Sequence, residues 1–318
     1  MPSCHRLENS GLHIANLAIP AVLVGVMFIW GGSFIAIKIG LRYLTPYELV
    51  VARFVPSALL LFPLGVWSHR RRNSGGGFWQ SLTKRERFGL VGLAFLAVPA
   101  YHVCLNTGET LIPAGWASLV ISLNPACIVT FAALMLSERV GWRRFAGIAL
   151  AFTGLVYIVL MVKGGGEAGI VDSIGRRLLG VAITLGAVLS WGWFTVGSKR
   201  LIAKRDPLSA LGWTMLLGVL WLIPGLPVEL PGKLAAAPAE LWWAVGFLSV
   251  GCTVIGFAVW FKVLERWKAS RAGVFIYLVP LFALFQGNLV LHEPLGIHVF
   301  IGAAAVLGGV ILAGTGGG

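Results

Sequence analysis

Apolar runs of about 20 residues recur along the whole chain, separated by short stretches rich in Arg, Lys, Gly and Pro. A helix rises about 1.5 Å per residue, so each run is long enough to cross a hydrocarbon core of roughly 30 Å. Ten membrane spans are predicted, near residues 18 to 38, 48 to 67, 88 to 107, 112 to 136, 143 to 162, 178 to 198, 208 to 228, 241 to 261, 272 to 291 and 297 to 314. The connections are mostly short, which leaves no room for a separate soluble domain and places function inside the bundle. The first span reads as a retained helix. Trp30 and Phe34 stand where small residues would precede a cleavage site, and the apolar run is too long for a signal peptide.

Composition gives the same class. The chain is 58% hydrophobic and 12% charged, against roughly 25% charged residues in a soluble domain. Its net charge of +13 is assigned to orientation rather than to nucleic acid, because positive residues favour cytoplasmic loops. With the N-terminus inside, the cytoplasmic loops hold Arg70, Arg71, Arg72, Lys84, Arg85, Arg87, Arg139, Arg143, Arg144, Lys199, Arg200, Lys204, Arg205, Lys262, Arg266, Lys268 and Arg271. The opposite loops keep few, chiefly Arg42, Lys163, Arg176, Arg177 and Lys233. The expectation is a multi-pass protein of a bacterial cytoplasmic membrane with both termini inside, needing no oligomer. Cys4, Cys104, Cys127 and Cys252 form no CxxC pair, so neither a zinc site nor a disulfide framework is expected, and no cofactor is implied.

The chain repeats itself. FIWGGSFIAIKIGLRYLTP and LSWGWFTVGSKRLIAKRDP both read WG-x6-K-x7-P, which pairs Trp30 with Trp191, Lys38 with Lys199 and Pro46 with Pro207. Further on, Ala117, Pro125, Glu138, Gly141, Gly147 and Gly154 match Ala272, Pro280, Glu293, Gly296, Gly302 and Gly309 at a constant offset of 155 residues. Each repeat, 18 to 162 and 178 to 314, contains five spans. An odd number makes the second copy enter the membrane from the opposite side. Loop charge agrees: SERVGWRR holds Arg139, Arg143 and Arg144, whereas its counterpart HEPLGIHV has no Lys or Arg. Inverted repeats are an architecture of secondary transporters, with the site near mid-membrane between the halves.

These residues resemble the EamA family of the drug/metabolite transporter superfamily. The resemblance rests on the two WG-x6-K-x7-P segments, the paired Pro-x12-Glu-x2-Gly segments and the ten-span length, and it covers about residues 18 to 314. It implies an all-α carrier of small molecules, often an exporter of amino acids, other metabolites or drugs, with a cavity between its halves.

Several side chains are candidates for that cavity. Trp30 and Trp191 each stand eight residues before their lysine, about 12 Å along a helix, which puts both indoles near the bilayer centre. Trp193, Tyr101, Trp260 and Tyr277 are further candidate lining. Pro125 and Pro280 fall inside the fourth and ninth spans, where each removes a backbone donor and frees carbonyls near Ile121 and Ile276. Asn124, His102, Asn106, Gln286 and Asn288 are polar groups at membrane depth that either touch a substrate or hydrogen-bond between helices. Lys38 and Lys199 end spans and read as headgroup anchors or as gating charges. Glu138 and Glu293 sit at span junctions, suited to capping a helix N-terminus. The stripes Gly147, Ala151, Gly154 and Gly302, Ala305, Gly309 predict close helix contact.

All twelve acidic residues map to loops or span ends, so coupling through a mid-membrane carboxylate is disfavoured and facilitated diffusion or exchange is favoured. Aromatic lining suits a substrate with an apolar or ring portion. A lack of buried charge argues against a strongly charged ligand held by ion pairs. A membrane enzyme would need clustered nucleophile, acid/base or metal-ligating groups, but the six histidines are scattered and no HExxH motif occurs.

Overall fold

The computed structural model describes residues 4–72, 76–136, 142–161, 173–202, 205–264 and 274–315. All regular structure among them is helical. Helices α1 (Cys4–Gly40) and α2 (Pro46–Arg72) are continuous. The next stretch is α3 (Lys84–Phe95), a π-helical turn (Leu96–Ala100) and α4 (Tyr101–Glu109). There follow α5 (Ala114–Ile121), α6 (Asn124–Leu136), α7 (Trp142–Met161), α8 (Ile174–Ile202) and α9 (Pro207–Leu222). A short α10 (Leu230–Ala235) precedes α11 (Ala239–Gly246), a second π-helical segment (Phe247–Ile255) and α12 (Gly256–Leu264). A 3-10 turn (Val274–Tyr277) leads into α13 (Leu278–Leu291), and α14 (Ile297–Thr315) ends the described chain.

Local chemistry sets several of these starts. Thr83 and Glu86 form a reciprocal capping box at α3, which satisfies two otherwise orphaned backbone donors. Thr45 and Glu48 make the same exchange at α2, with Thr45 N donating to Glu48 Oε2 at 2.8 Å and Glu48 N to Thr45 Oγ1 at 3.3 Å. Asp206 caps α9 ahead of Pro207, whose missing N–H costs nothing in a first turn. His292, in the left-handed region at φ 54°, ends α13.

Six helical stretches are long and apolar enough to cross a membrane: Ile19–Gly40, Pro46–Arg72, Lys84–Glu109, Ile174–Ser198, Pro207–Gly225 and Ala239–Trp260. Four further apolar helices, Ala114–Ile128, Phe145–Met161, Phe275–Leu291 and Ile297–Leu312, are shorter. Two of these four are broken. The fourth expected span is interrupted between Ile121 and Asn124, and the ninth changes from 3-10 to α-helix at Tyr277. Pro125 and Pro280 lie in the first turn after each break, so both prolines begin a new helical segment. The chain is a multi-pass membrane protein, with Leu59, Phe88, Phe145, Phe285 and Phe300 among large apolar side chains left exposed on its outside.

Two helix pairs meet almost backbone to backbone. α7 and α14 pack through their small-residue stripes: a Cβ on Gly154 would come 2.7 Å from Gly302 O, and one on Gly309 would come 2.5 Å from both Ala151 N and Gly147 O. α2 and α9 cross likewise, with Gly65 against Leu208 O and Gly212 against Leu61 O. In both pairs residue numbers rise on one helix as they fall on the other, so the partners run antiparallel. The ends of α2 carry ion pairs: Lys233 Nζ to Glu48 at 2.7 Å at one end, and Arg72 to Asp206 at 3.6 Å at the other.

A central arc of aromatic and polar side chains

The two π-helical segments lie at corresponding places in the halves, and the centre is built around them. A π turn widens the helix by one residue and re-aims its side chains, which is why such turns concentrate at functional sites. Within the second, Thr253 Oγ1 donates to Leu248 O five residues back at 2.8 Å. Immediately after the first come Tyr101 and His102.

Trp30 docks on the second π segment. Its Nε1 donates to Cys252 O at 3.0 Å, and its ring meets Phe257 and Trp260 at centroid separations of 5.8 and 5.6 Å. Only glycine fits at 256, since a Cβ there would come 2.5 Å from the indole nitrogen. Trp191 docks on the other side, 5.2 Å from Tyr101 and from Phe194. From Tyr101 the contacts continue to His102 at 4.6 Å, and from His102 to Phe54 at 4.4 Å. The Arg53 guanidinium lies 5.0 Å from the Phe54 ring centroid and donates through Nε and Nη2 to Thr253 Oγ1 at 3.3 Å each. The arc thus runs from Trp191 to Trp30 by way of α4, α2 and the second π segment.

Arg53 corrects the sequence reading. The predicted span over 48 to 67 hid it inside an apolar average, and the expectation of no buried charge overlooked it. It is only 8% exposed. The signal was present, because an arginine inside a membrane span is a functional-site candidate by itself. The described acidic residues sit in loops or near span ends, yet Glu48, Glu109 and Asp206 are buried there in protein. Neither Glu109 carboxylate oxygen has a hydrogen-bond partner among the described residues.

The remaining predicted residues divide. Among the described residues His102 is buried with Nδ1 unpartnered, and Asn124, whose side chain lies against the Tyr101 hydroxyl, has Oδ1 unpartnered. Asn106 ties α4 to the start of α2 through Nδ2 to Pro46 O at 3.1 Å, and Gln286 ties α13 to α1 through Nε2 to Phe28 O at 3.0 Å. Tyr277 is half-buried at the 3-10 turn. The structure does not bring Trp193 or Asn288 to the arc. Two residues on from Trp191, Trp193 is turned to the other side of α8, half exposed against Phe131, and Asn288 donates to Glu293 O at 2.8 Å. Lys38 lies within electrostatic range of Glu109 and Glu293 at one end of the bundle. The side chains of Lys199 and Glu138 lie outside the described residues.

Glu293 acts across the halves. Its two oxygens accept from Ala114 N at 2.6 Å and Gly115 N at 3.0 Å, capping α5. Burial pushes this carboxyl above its ordinary range, against the lowering effect of those two N–H groups and Lys38.

Fold and centre define a class: a polytopic helical membrane protein whose polar and aromatic middle is assembled from both halves of the chain. The sequence model of the EamA-like transporter family matches it twice, over residues 18–160 and 178–315. The chain belongs to that family. Among its relatives, an uncharacterized transporter of Archaeoglobus fulgidus is 31% identical over 92% of this chain and 96% of its own length. A probable terminal-alkyne amino-acid exporter of Streptantibioticus cattleyicolor is 30% identical over 91% of each chain. A probable amino-acid metabolite efflux pump of Escherichia coli is 24% identical over 90% of this chain and 91% of its own length. One crystal structure superposes with a TM-score of 0.60 at 21% identity, covering 92% of this chain and 95% of that one, a likeness of fold.

Proposed function

We propose that the protein is a secondary carrier of small amphipathic metabolites such as amino acids, working by alternating access and in the export direction. Its parts are two inverted five-helix repeats, 18 to 162 and 178 to 314, giving ten crossings with both termini in the cytoplasm of a bacterium. The observation that carries this reading is the arc from Trp191 to Trp30, a polar and aromatic centre drawn from both halves. The antiparallel pairing of α2 with α9 and of α7 with α14 supports inversion, because residues at matched sequence positions meet head to tail. The printed names of the Streptantibioticus cattleyicolor and Escherichia coli relatives support amino acids and export.

Facilitated diffusion or exchange is favoured over strict ion coupling. Strict coupling needs an ion-binding group whose occupancy biases which side is open, and the acidic residues stay at the span ends. The test is counterflow in liposomes with a panel of small metabolites, first with matched pH and sodium, then with each gradient imposed. Exchange without a gradient is expected. Accumulation driven by either gradient refutes the uncoupled mechanism, and absence of counterflow with the whole panel refutes the carrier. Orientation is tested separately, since cysteine labelling from outside intact cells is expected near Lys233 and not near Arg71.

A further inference from the structure

We propose that Arg53 docks a carboxylate of the transported molecule, so that the carrier selects substrates in which an anionic oxygen group is attached to an apolar or aromatic body. This rests on the carrier reading above and gives it a substrate class.

A guanidinium buried inside a membrane span, 8% exposed, is costly unless it is paired, because burying an unpaired charge forfeits its hydration. Among the described residues Arg53 forms no salt bridge. Its side-chain hydrogen bonds among the described residues all go to one hydroxyl, Thr253 Oγ1, and none of those residues accepts from Nη1. Both bonds are 3.3 Å long, whereas charge-assisted bonds to a carboxylate close to about 2.7–2.9 Å. The planar edge of an arginine fits a carboxylate through two parallel N–H donors, so an incoming anion gains a bidentate contact and leaves Thr253 to steady Nε. Glu109 is within electrostatic range and offsets part of the positive potential without pairing to it.

The surroundings select the rest of the ligand. Phe54, Tyr101 and Trp191 supply ring faces, while His102 Nδ1 and Asn124 Oδ1 are unpartnered and can take a donor. An α-amino acid with a ring or apolar side chain has all three kinds of group. Among the described residues of the arc the cation is also single: Thr214, the position in α9 that corresponds to Arg53, is buried and spends its hydroxyl on Ala210 O. The described centre therefore offers one place for an anion.

The test compares phenylalanine with phenylalaninamide, which keeps the ring and ammonium and lacks the carboxylate. Binding is read from quenching of intrinsic tryptophan fluorescence in the detergent-purified protein. Wild type is expected to bind the acid about tenfold or more tightly than the amide. Arg53→Gln is expected to lose that preference and Arg53→Lys to keep part of it. Equal binding of the two probes by wild type, no binding of phenylalanine, or an unchanged preference in Arg53→Gln overturns the proposal. If neither variant folds, the wild-type comparison decides. Vesicle counterflow separates the two readings: discriminating binding without counterflow removes the carrier and leaves the anchor, while counterflow that uses both probes equally removes the anchor and leaves the carrier.

Discussion

The two halves of this protein share a backbone plan and differ in their chemistry. α2 and α9 begin at matched prolines, cross antiparallel and bring small residues to the contact, yet one carries Arg53 where the other carries Thr214. Trp30 and Trp191 begin from matched positions, and each docks on the opposite half beside a π segment. Trp30 is fixed by a hydrogen bond to Cys252 O, while Trp191 is held by ring contacts. The difference teaches that near-symmetry is kept where geometry is needed twice. On the docking proposed for Arg53, it is given up where one ligand has to be held one way round.

The first way to break the comparison is to attack what the halves share. Gly309→Ala places a methyl against the α7 backbone, and a loss of about 1–3 kcal/mol from overpacking is expected, seen as reduced membrane yield and melting temperature. Gly308→Ala, where a Cβ would meet nothing within 4 Å, is the control and is expected to be neutral. Equal effects would refute the backbone-to-backbone seam.

Next come the tryptophans. Trp30→Ala and Trp191→Ala are both expected to lower flux about tenfold, the size of a lost aromatic contact, with a smaller fall in folded protein. Loss of yield with unchanged affinity in what survives would make them packing residues. Substitution by Phe sharpens the contrast, because only Trp30 gives up a hydrogen bond: Trp30→Phe is expected to cost about 1 kcal/mol of stability and Trp191→Phe less. A reversed order in thermal melting would contradict the docking described.

Glu293 gives the smallest effect. Its carboxyl is held above its ordinary range by burial, so the folded protein holds this proton more tightly than the unfolded chain does. Its contribution to stability is then greatest below the ordinary carboxylate pKa of about 4.3 and declines as pH rises through the raised value. Glu293→Gln is expected to flatten that part of the pH dependence of melting. An unchanged slope would assign it to another group.

Much of the architecture was legible in the sequence because it is written in spacing. Pro46 and Pro207, and the glycine stripes that become the α7 and α14 seam, recur at fixed offsets, and hydrophobic length alone marks most of the spans. The centre was legible only where residues were large or symmetric. Trp30, Trp191, Tyr101 and His102 stood out, but Arg53 has no counterpart in the second half and disappears in the mean of an apolar window. Side-chain direction was the other gap. Trp193 and Trp191 are two residues apart, and a helix turns two such side chains to different sides.

The glycine seam also determines which parts of the bundle are free to move. Where a backbone carbonyl and a backbone nitrogen would meet an added methyl at 2.5 Å, the contact has no compliant layer of side chains to stretch or compress. It is mechanically stiff, like the pin of a hinge. In the alternating access proposed above, displacement between the halves is then absorbed where the helices already depart from regularity, at the two π-helical segments and at the breaks before Pro125 and Pro280. Those four places border the arc, so the same irregularities that shape its walls also give them room to move.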